Sequence, residues 1–411
     1  MGGRAVEGTG LENRQGGNSF VGSNPTPSAI ILEEKMLKEC LVFCLFIVGV
    51  GFAYLNLPKF GKMPDEISMT KIKTSPNYKN GQFQNRYPIP EPTKKRSAIK
   101  ARLDFVFKKY PNTVPTKAIP TVKTDIKSIN KSKNVVIWLG HSSYYIQLAG
   151  LTFLVDPVFS KHASPFPFMI RAFTGTNIYQ ADDFPEIDFL IITHDHWDHL
   201  DYPTVKALKS KIRHVITPLG VDSHLRYWGL DKEKITEMDW DDEIEIPNGK
   251  ITCIPARHFS GRWLTRNKTL WASFVINING FKIYVDGDSG YDEHYKTYGY
   301  KFRGIDLALL EAGQYNEDWQ YIHKSPGKTV QAAKDLKAKR VIAGHNSKFN
   351  LAKHPWFEPL EKISEMARSA KFKLITPKIG ETVYLTQPEQ NFSEWWKAVD
   401  DVKATDSTPS L

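Results

Sequence analysis

Cysteine is nearly missing from this chain of 411 residues, and its scarcity narrows what can hold the fold or a metal. Three are present; Cys40 and Cys44 lie inside an apolar N-terminal run, which leaves Cys253 alone in the remainder. A single thiol builds no disulfide framework, and no Cys-x-x-Cys pair is available to grip zinc. Any metal must therefore be held by histidine and carboxylate. Histidine is also scarce, at 12 residues, so a local concentration of it is informative. Acidic residues are sparse between Lys59 and Lys133, where 18 Lys and Arg face 5 Asp and Glu. That surplus of 13 exceeds the formal charge of +10 for the whole chain, so the remainder is slightly acidic. The basicity belongs to one extension, and no separate RNA-binding domain is visible, so no nucleic-acid partner is expected. A basic segment of this kind suits an anionic bilayer or a solvated, lysine-rich surface. Hydrophobic content of 41% with 24% charged residues is otherwise ordinary for a globular protein.

Long apolar runs are few as well, and the one that stands out is near the start. Residues 1–35, rich in Gly, Asn, Ser and Pro, are expected to be unstructured or upstream sequence. Met36, Lys38 and the apolar run Leu41 to Leu55 follow the order of a signal peptide or signal anchor, spanning 36–57. An uncleaved anchor is favoured over cleavage at Gly51-Phe52-Ala53, because Tyr54, Leu55 and Leu57 prolong the apolar stretch. The expected location is a membrane, the inner membrane of a bacterium, with residues 36–57 and the basic segment 59–133 meeting its surface. Residues 58–132 read as a basic extension wrapping the main domain, with one helix over 97–110. The main domain occupies 133–390, and 391–411 add a short helix (392–402) and a tail.

The main domain is organised around Phe189-Leu190-Ile191-Ile192 and the burst His194-Asp195-His196-Trp197-Asp198-His199 behind it. The apolar run reads as a strand buried on both faces, and the burst as the loop beyond its C-terminal end. Three imidazoles and a carboxylate in so short a space suit a divalent cation, zinc first, with iron or manganese as alternatives. Partners are expected at other strand ends: His258 after the strand ending at Ile254, Asp286 and Asp288 after Phe281 to Val285, and His345 after Arg340 to Ala343. Strands are also expected at 135–139, 143–148, 151–155, 214–217, 270–278, 305–310 and 382–385. Helices are expected at 202–208, 219–227, 329–336 and 359–370. Two strand-rich halves, each followed by helices, predict an α/β sandwich. Residues 158–185 form a Phe- and Pro-rich loop, read either as the wall of an apolar pocket or as packing.

His-x-His-x-Asp-His followed by His258, Gly287-Asp288-Ser289-Gly290 and His345 resembles the metallo-β-lactamase superfamily over about residues 134–386. Trp138-Leu139-Gly140-His141, Phe153 to Ser160, Asp198 to Tyr202 and the segment ending at Tyr291 are similar to the N-acyl-phosphatidylethanolamine-hydrolysing phospholipase D family and its bacterial relatives. The resemblance implies a four-layer αββα sandwich with two zinc ions. It places His194, His196 and His258 on one ion, Asp198, His199 and His345 on the other, and Asp288 as the bridge, with Asp286 as its rival. His323 resembles an active-site histidine of that family that orients substrate or protonates the leaving group. Asp156, His141 and Asp201 are expected to steady the ligand imidazoles from behind. At Leu309 to Glu317 this chain departs from the lipid-hydrolysing enzymes, which carry a proline-containing segment there.

The implied chemistry is hydrolysis of a phosphodiester or an acyl ester, with the two cations lowering the pKa of a shared water. The first expectation is a membrane-associated zinc phosphodiesterase of phospholipase D type acting on phospholipid. The alternative keeps the fold and takes a lactone or other small ester.

Overall fold

The computed structural model describes residues 27–90, 108, 110–262, 264–387 and 389–400. The chain divides into two compact units, one ending at Asn56 and one beginning at Leu57.

In the first unit, helix α1 runs Pro27–Leu55. Its portion Glu34–Leu55, 22 residues, is long and apolar enough to cross a membrane, and none of its apolar core window is buried. At 1.5 Å per residue that length is about 33 Å, close to the ~30 Å of a hydrocarbon core. Residues 27–35, expected to be unstructured, are helical instead. Pro27 is tolerated in a first turn, and the Ile, Leu and Glu residues behind it favour the helix. The expected helix over 97–110 lies almost wholly outside the described residues.

The second unit opens with α2 (Glu66–Ile72), capped by the Asp65 carboxylate, which accepts from the Ser68 N–H. A hairpin of β1 (Tyr78–Lys79) and β2 (Gln82–Phe83) follows. The main domain then runs β3 (Val135–Trp138), β4 (Tyr144–Leu148), β5 (Leu151–Val155), β6 (Ile187–Ile191), α3 (Tyr202–Leu208), β7 (Ile212–Pro218) and α4 (Asp222–Tyr227). It continues β8 (Ile235–Met238), β9 (Glu243–Ile246), β10 (Gly249–Pro255), β11 (Ala272–Ile278), β12 (Phe281–Val285), α5 (His294–Lys301) and β13 (Ile305–Glu311). It closes with α6 (Pro326–Asp335), β14 (Ala338–Gly344), α7 (Glu358–Ala367), β15 (Lys373–Ile375) and β16 (Thr382–Tyr384). The helix expected over 392–402 is a 3-10 turn, Trp395–Ala398.

Two seven-stranded sheets result, ordered β16-β3-β4-β5-β6-β7-β8 and β15-β14-β13-β12-β11-β10-β9. In each, one half is antiparallel and the other parallel, the change falling at β5 and at β12. Alternation along the strands builds the layers. Val136, Trp138, Tyr144, Ile146, Phe153 and Val155 pack with the second sheet, whereas Val135, Ile137, Tyr145 and Leu154 pack with Val205 and Leu208 of α3, Val221 just before α4 and Leu225 within it. The second sheet shares the larger core with Val330, Ala333, Leu360 and Ile363 of α6 and α7. Each such fully buried side chain contributes roughly 1.5–3 kcal/mol, and the product is the expected αββα sandwich. Phe159 stacks on Phe184 and Phe173 is buried in the core, so those parts of the 158–185 loop are packing; Phe168 at its tip is exposed.

The extension after Asn56 is tied to the core by polar contacts. The Trp228 indole donates to the Pro58 carbonyl at 2.7 Å, and the Arg262 guanidinium to that of Lys59 at 2.8 Å. The Lys62 N–H donates to His224 Nδ1 at 3.0 Å, which leaves His224 Nε2 to donate to Asp195 at 3.2 Å. Gly61, at φ 77°, lies so close that a Cβ there would be 2.0 Å from His224 Nδ1.

Candidate metal centre

Both sheets present the C-terminal ends of their parallel strands at one edge, and the chemistry gathers there. The loop after β6 carries His194, His196, Asp198 and His199; His258 follows β10, Asp288 follows β12, and His345 follows β14. All are buried except His196, which is half-buried. Gly287 permits this convergence: at φ 63° it lies where a Cβ would be 2.8 Å from the Thr193 side chain. His141, Asp156 and His345 themselves adopt left-handed φ values of 52°, 38° and 59°. Strain of this kind persists where the surroundings over-determine it, typically at functional sites.

Two cages of ligand atoms form. In the first, His196 Nδ1 lies 2.9 Å from His194 Nε2 and 3.2 Å from His258 Nε2, and Asp288 Oδ2 lies 3.8 and 3.6 Å from those Nε2 atoms. In the second, Asp198 Oδ2 lies 3.3 Å from His345 Nε2 and 3.5 Å from His199 Nε2, and Asp288 Oδ1 lies 3.2 Å from both. Ligands at 2.0–2.1 Å in a tetrahedron are about 3.3–3.4 Å apart, so both sets fit a small divalent ion. The Asp288 carboxylate gives one oxygen to each cage. His199 Nε2 and Asp288 Oδ1 are buried without a hydrogen-bond partner. Such orphans cost about 1–3 kcal/mol each unless something else meets them, and a cation would do so.

The electrostatics prepare the same atoms. Burial pushes His194 and His258 well below the ordinary imidazole range and His196 down to about 4, so these rings stay neutral with a lone pair available. Burial opposes charge on His199 and His345 too, but the surrounding carboxylates together outweigh it (Asp288 and Asp198 for both, with Asp156 at His199 and Glu311 at His345), lifting His199 well up and His345 to about 9. Burial would raise Asp198 and Asp288, yet His199 and its neighbours hold both well below the usual carboxylate range.

Asp156 steadies one ring: it accepts from the Thr193 N–H at 2.8 Å and hydroxyl at 2.6 Å, and lies 2.8 Å from His199 Nδ1, aiming His199 Nε2 inward. The Ile322 carbonyl, 3.1 Å from His258 Nδ1, does the same for His258. His141 departs from expectation. It holds no imidazole from behind; its Nε2 is 2.9 Å from Asp198 Oδ2, and it belongs with Asp198, His199 and His345 in one group of potential ligand atoms. Asp201 requires a correction. Its carboxylate is taken by the Ser160 N–H (3.2 Å), the Ser160 hydroxyl (2.8 Å) and the Thr204 hydroxyl, so it fixes the loop after β5 and reaches no ligand ring. Asp286, the rival bridge, is occupied by Tyr295, Lys324 and the Glu311 N–H.

His323 stands at the rim, its ring 5.0 Å from that of His258 and 5.2 Å from that of His345, and its Nδ1 3.3 Å from Glu311 Oε1. It lines a cleft of about 500 Å³ with Arg257, Tyr291, Tyr315, Tyr321 and Lys328. Glu311 and Lys324, both fully buried beside the cages, escaped the sequence reading. A carboxylate ending an apolar strand could have betrayed Glu311; nothing local marks Lys324.

The profile of the Beta-lactamase superfamily domain matches residues 152–346. The chain is 34% identical over 327 residues to an uncharacterized protein of Mycobacterium tuberculosis, covering 79% of this chain and 88% of that one. It is 28% identical over 282 residues to N-acyl-phosphatidylethanolamine-hydrolyzing phospholipase D 1 of Caenorhabditis elegans, covering 64% and 75%. A possible metal-dependent hydrolase from Veillonella parvula superposes with a TM-score of 0.51 at 14% identity, over 62% of this chain and all of that one, a likeness of fold alone.

Proposed function

From the premise that this chain belongs to the metallo-β-lactamase superfamily and is a metal-dependent hydrolase, we propose a membrane-associated, two-zinc phosphodiesterase of the N-acylphosphatidylethanolamine phospholipase D type. The observation that carries this reading is the pair of four-atom cages sharing Asp288, one oxygen to each. His194, His196 and His258 would hold one ion and Asp198, His199 and His345 the other, with Asp288 between them. Zinc, or iron or manganese in its place, would polarise a phosphoryl or acyl oxygen and lower the pKa of water there.

The chain's own groups do the rest. Asp156 and the Ile322 carbonyl hold His199 and His258 in the tautomer that leaves Nε2 bare. His323, at the mouth of the cleft, is placed to orient the substrate and to give a proton to the departing alkoxide. Hydrolysis of the head-group phosphodiester then yields phosphatidate and an N-acylethanolamine. The helix Pro27–Leu55 supports anchoring at a bacterial inner membrane, and the basic segment 59–133 supports contact with anionic lipid.

One observation admits a second reading, a lactone or other small-ester hydrolase of the same fold. In the cleft beside His323, Arg257, Asp292, Glu293, Gln320 and Lys328 stand among Tyr291, Tyr315 and Tyr321, so the lining offers charged groups to a small polar substrate as well as apolar surface to an acyl chain. Zinc-loaded full-length protein assayed on liposomes of N-acylated and plain phosphatidylethanolamine, and on water-soluble lactones, separates the two. Release of N-acylethanolamine is the expected result; turnover of lactone with none of lipid would replace the first reading by the second.

A further inference from the structure

A buried charged network sits behind the cages. The Lys324 ammonium has no exposure, and it lies 2.8 Å from Asp286 Oδ2, 3.0 Å from Glu311 Oε2, 2.6 Å from the Ser289 carbonyl and 2.8 Å from the Tyr295 hydroxyl. Tyr295 donates to Asp286 Oδ1 at 2.7 Å, and the Glu311 N–H donates to Asp286 Oδ2 at 2.9 Å. A charged group this deep is tolerated only when paired and hydrogen-bonded throughout, and each member here is.

One oxygen of the network faces the site. Glu311 Oε2 is taken by the Lys324 N–H at 3.0 Å and its ammonium. Glu311 Oε1 instead faces two imidazoles, 3.3 Å from His323 Nδ1 and 3.6 Å from His345 Nδ1. The His345 Nδ1 is buried and has no hydrogen-bond partner, so Glu311 is the anion that addresses it. An acceptor on that side keeps the proton on Nδ1 and leaves Nε2 bare, and His345 Nε2 is the atom facing Asp198 and Asp288. By holding the Ser289 carbonyl, Lys324 also tethers the turn that bears Asp288.

We propose that Glu311 and Lys324 are a positioning pair that sets the tautomer and orientation of His345 and His323, and so tightens the second cage in preference to the first. The inference rests on the two-cage reading and on no particular substrate. Among the described residues Glu311 meets no ring of the first cage: His258 is steadied by Ile322, and His194 by Thr193, 3.0 Å from its Nδ1, while Asp288, common to both cages, is reached only through Lys324 and Ser289.

The test is metal binding by full-length E311Q in detergent, read by chelator competition and by the visible spectrum of cobalt-loaded protein. A glutamine turns its oxygen to Lys324 and its amide protons to the rings, opposing the Nδ1–H tautomer. Wild type is expected to hold two ions; E311Q is expected to keep one unchanged and bind the other about 10–100-fold more weakly, with the spectrum altered only for that ion. If E311Q does not fold, E311D supplies the same comparison with the charge kept and the reach shortened by one methylene. Equal weakening of both ions, or no change in either, overturns the pair's role. A wild type holding fewer than two ions overturns it along with the two-cage reading. Two ions and a selective loss, with activity on neither lipid nor lactone, would leave the pair standing and sink the substrate assignment alone.

Discussion

The two cages are built from the same residue types, yet their surroundings differ in how much negative charge they carry. The first takes three nitrogens from rings that burial keeps neutral and one oxygen of Asp288, with His258 and His194 steadied by a carbonyl and a hydroxyl. The second takes two nitrogens and two carboxylate oxygens, and two further acids, Asp156 and Glu311, stand behind its rings. More negative charge around the second cage means more charge for an ion to neutralise there. Its affinity should therefore depend more on the supporting residues than that of the first, which depends on geometry.

Four experiments break or sharpen this contrast. D288A removes an oxygen from both cages, so it should lose both ions and lower turnover more than about 10³-fold, beyond the usual effect of losing one stabilising donor; metal analysis with circular dichroism checks that the fold survives. H196A and H345A should each leave one ion, on opposite sides, with activity down about 10²–10³-fold. If either variant binds both ions at full strength, its cage is wrongly assigned. D156N should weaken the second cage by about 10–100-fold in affinity and the first by less, as measured by chelator titration, because Asp156 meets His199 directly and His194 only through Thr193.

The smallest effect concerns Lys348, buried three residues beyond His345, whose ammonium donates to the Val158 carbonyl at 2.8 Å and to that of Leu139, two residues before His141. Burial lowers its pKa to about 7 from the 10.5 of the unfolded chain. Between those values the unfolded state binds more protons, so stability should rise as pH climbs from about 7 toward 10.5. K348M should flatten that rise in thermal melts while leaving metal content alone.

Much of this centre was legible in the chain. Apolar strands ending in His or Asp pointed to the residues that the fold brings together, Asp286 as well as Asp288, because a strand with both faces buried has a local signature and its end is marked by the first polar residues; the choice of Asp288 came from the resemblance. The strand Phe281–Val285 and the helix Tyr202–Leu208 begin and end where the pattern placed them. What stayed hidden was long-range. Lys324 looks like any surface lysine until Asp286, 38 residues away, is brought to it. Asp201 looked like a support for a neighbouring histidine until Ser160, 41 residues away, claimed its carboxylate. The helical start at Pro27 was missed because Gly, Asn and Ser in the preceding residues masked a change of composition.

The short stretch Pro58–Lys62 carries a practical consequence for anyone re-engineering this protein. The Lys59 carbonyl and the Lys62 N–H reach, through Arg262 and His224, the backbone and carboxylate of Asp195, which sits between two cage histidines. A cut or a fusion made within this stretch would pull out the wedge against which the histidine loop rests.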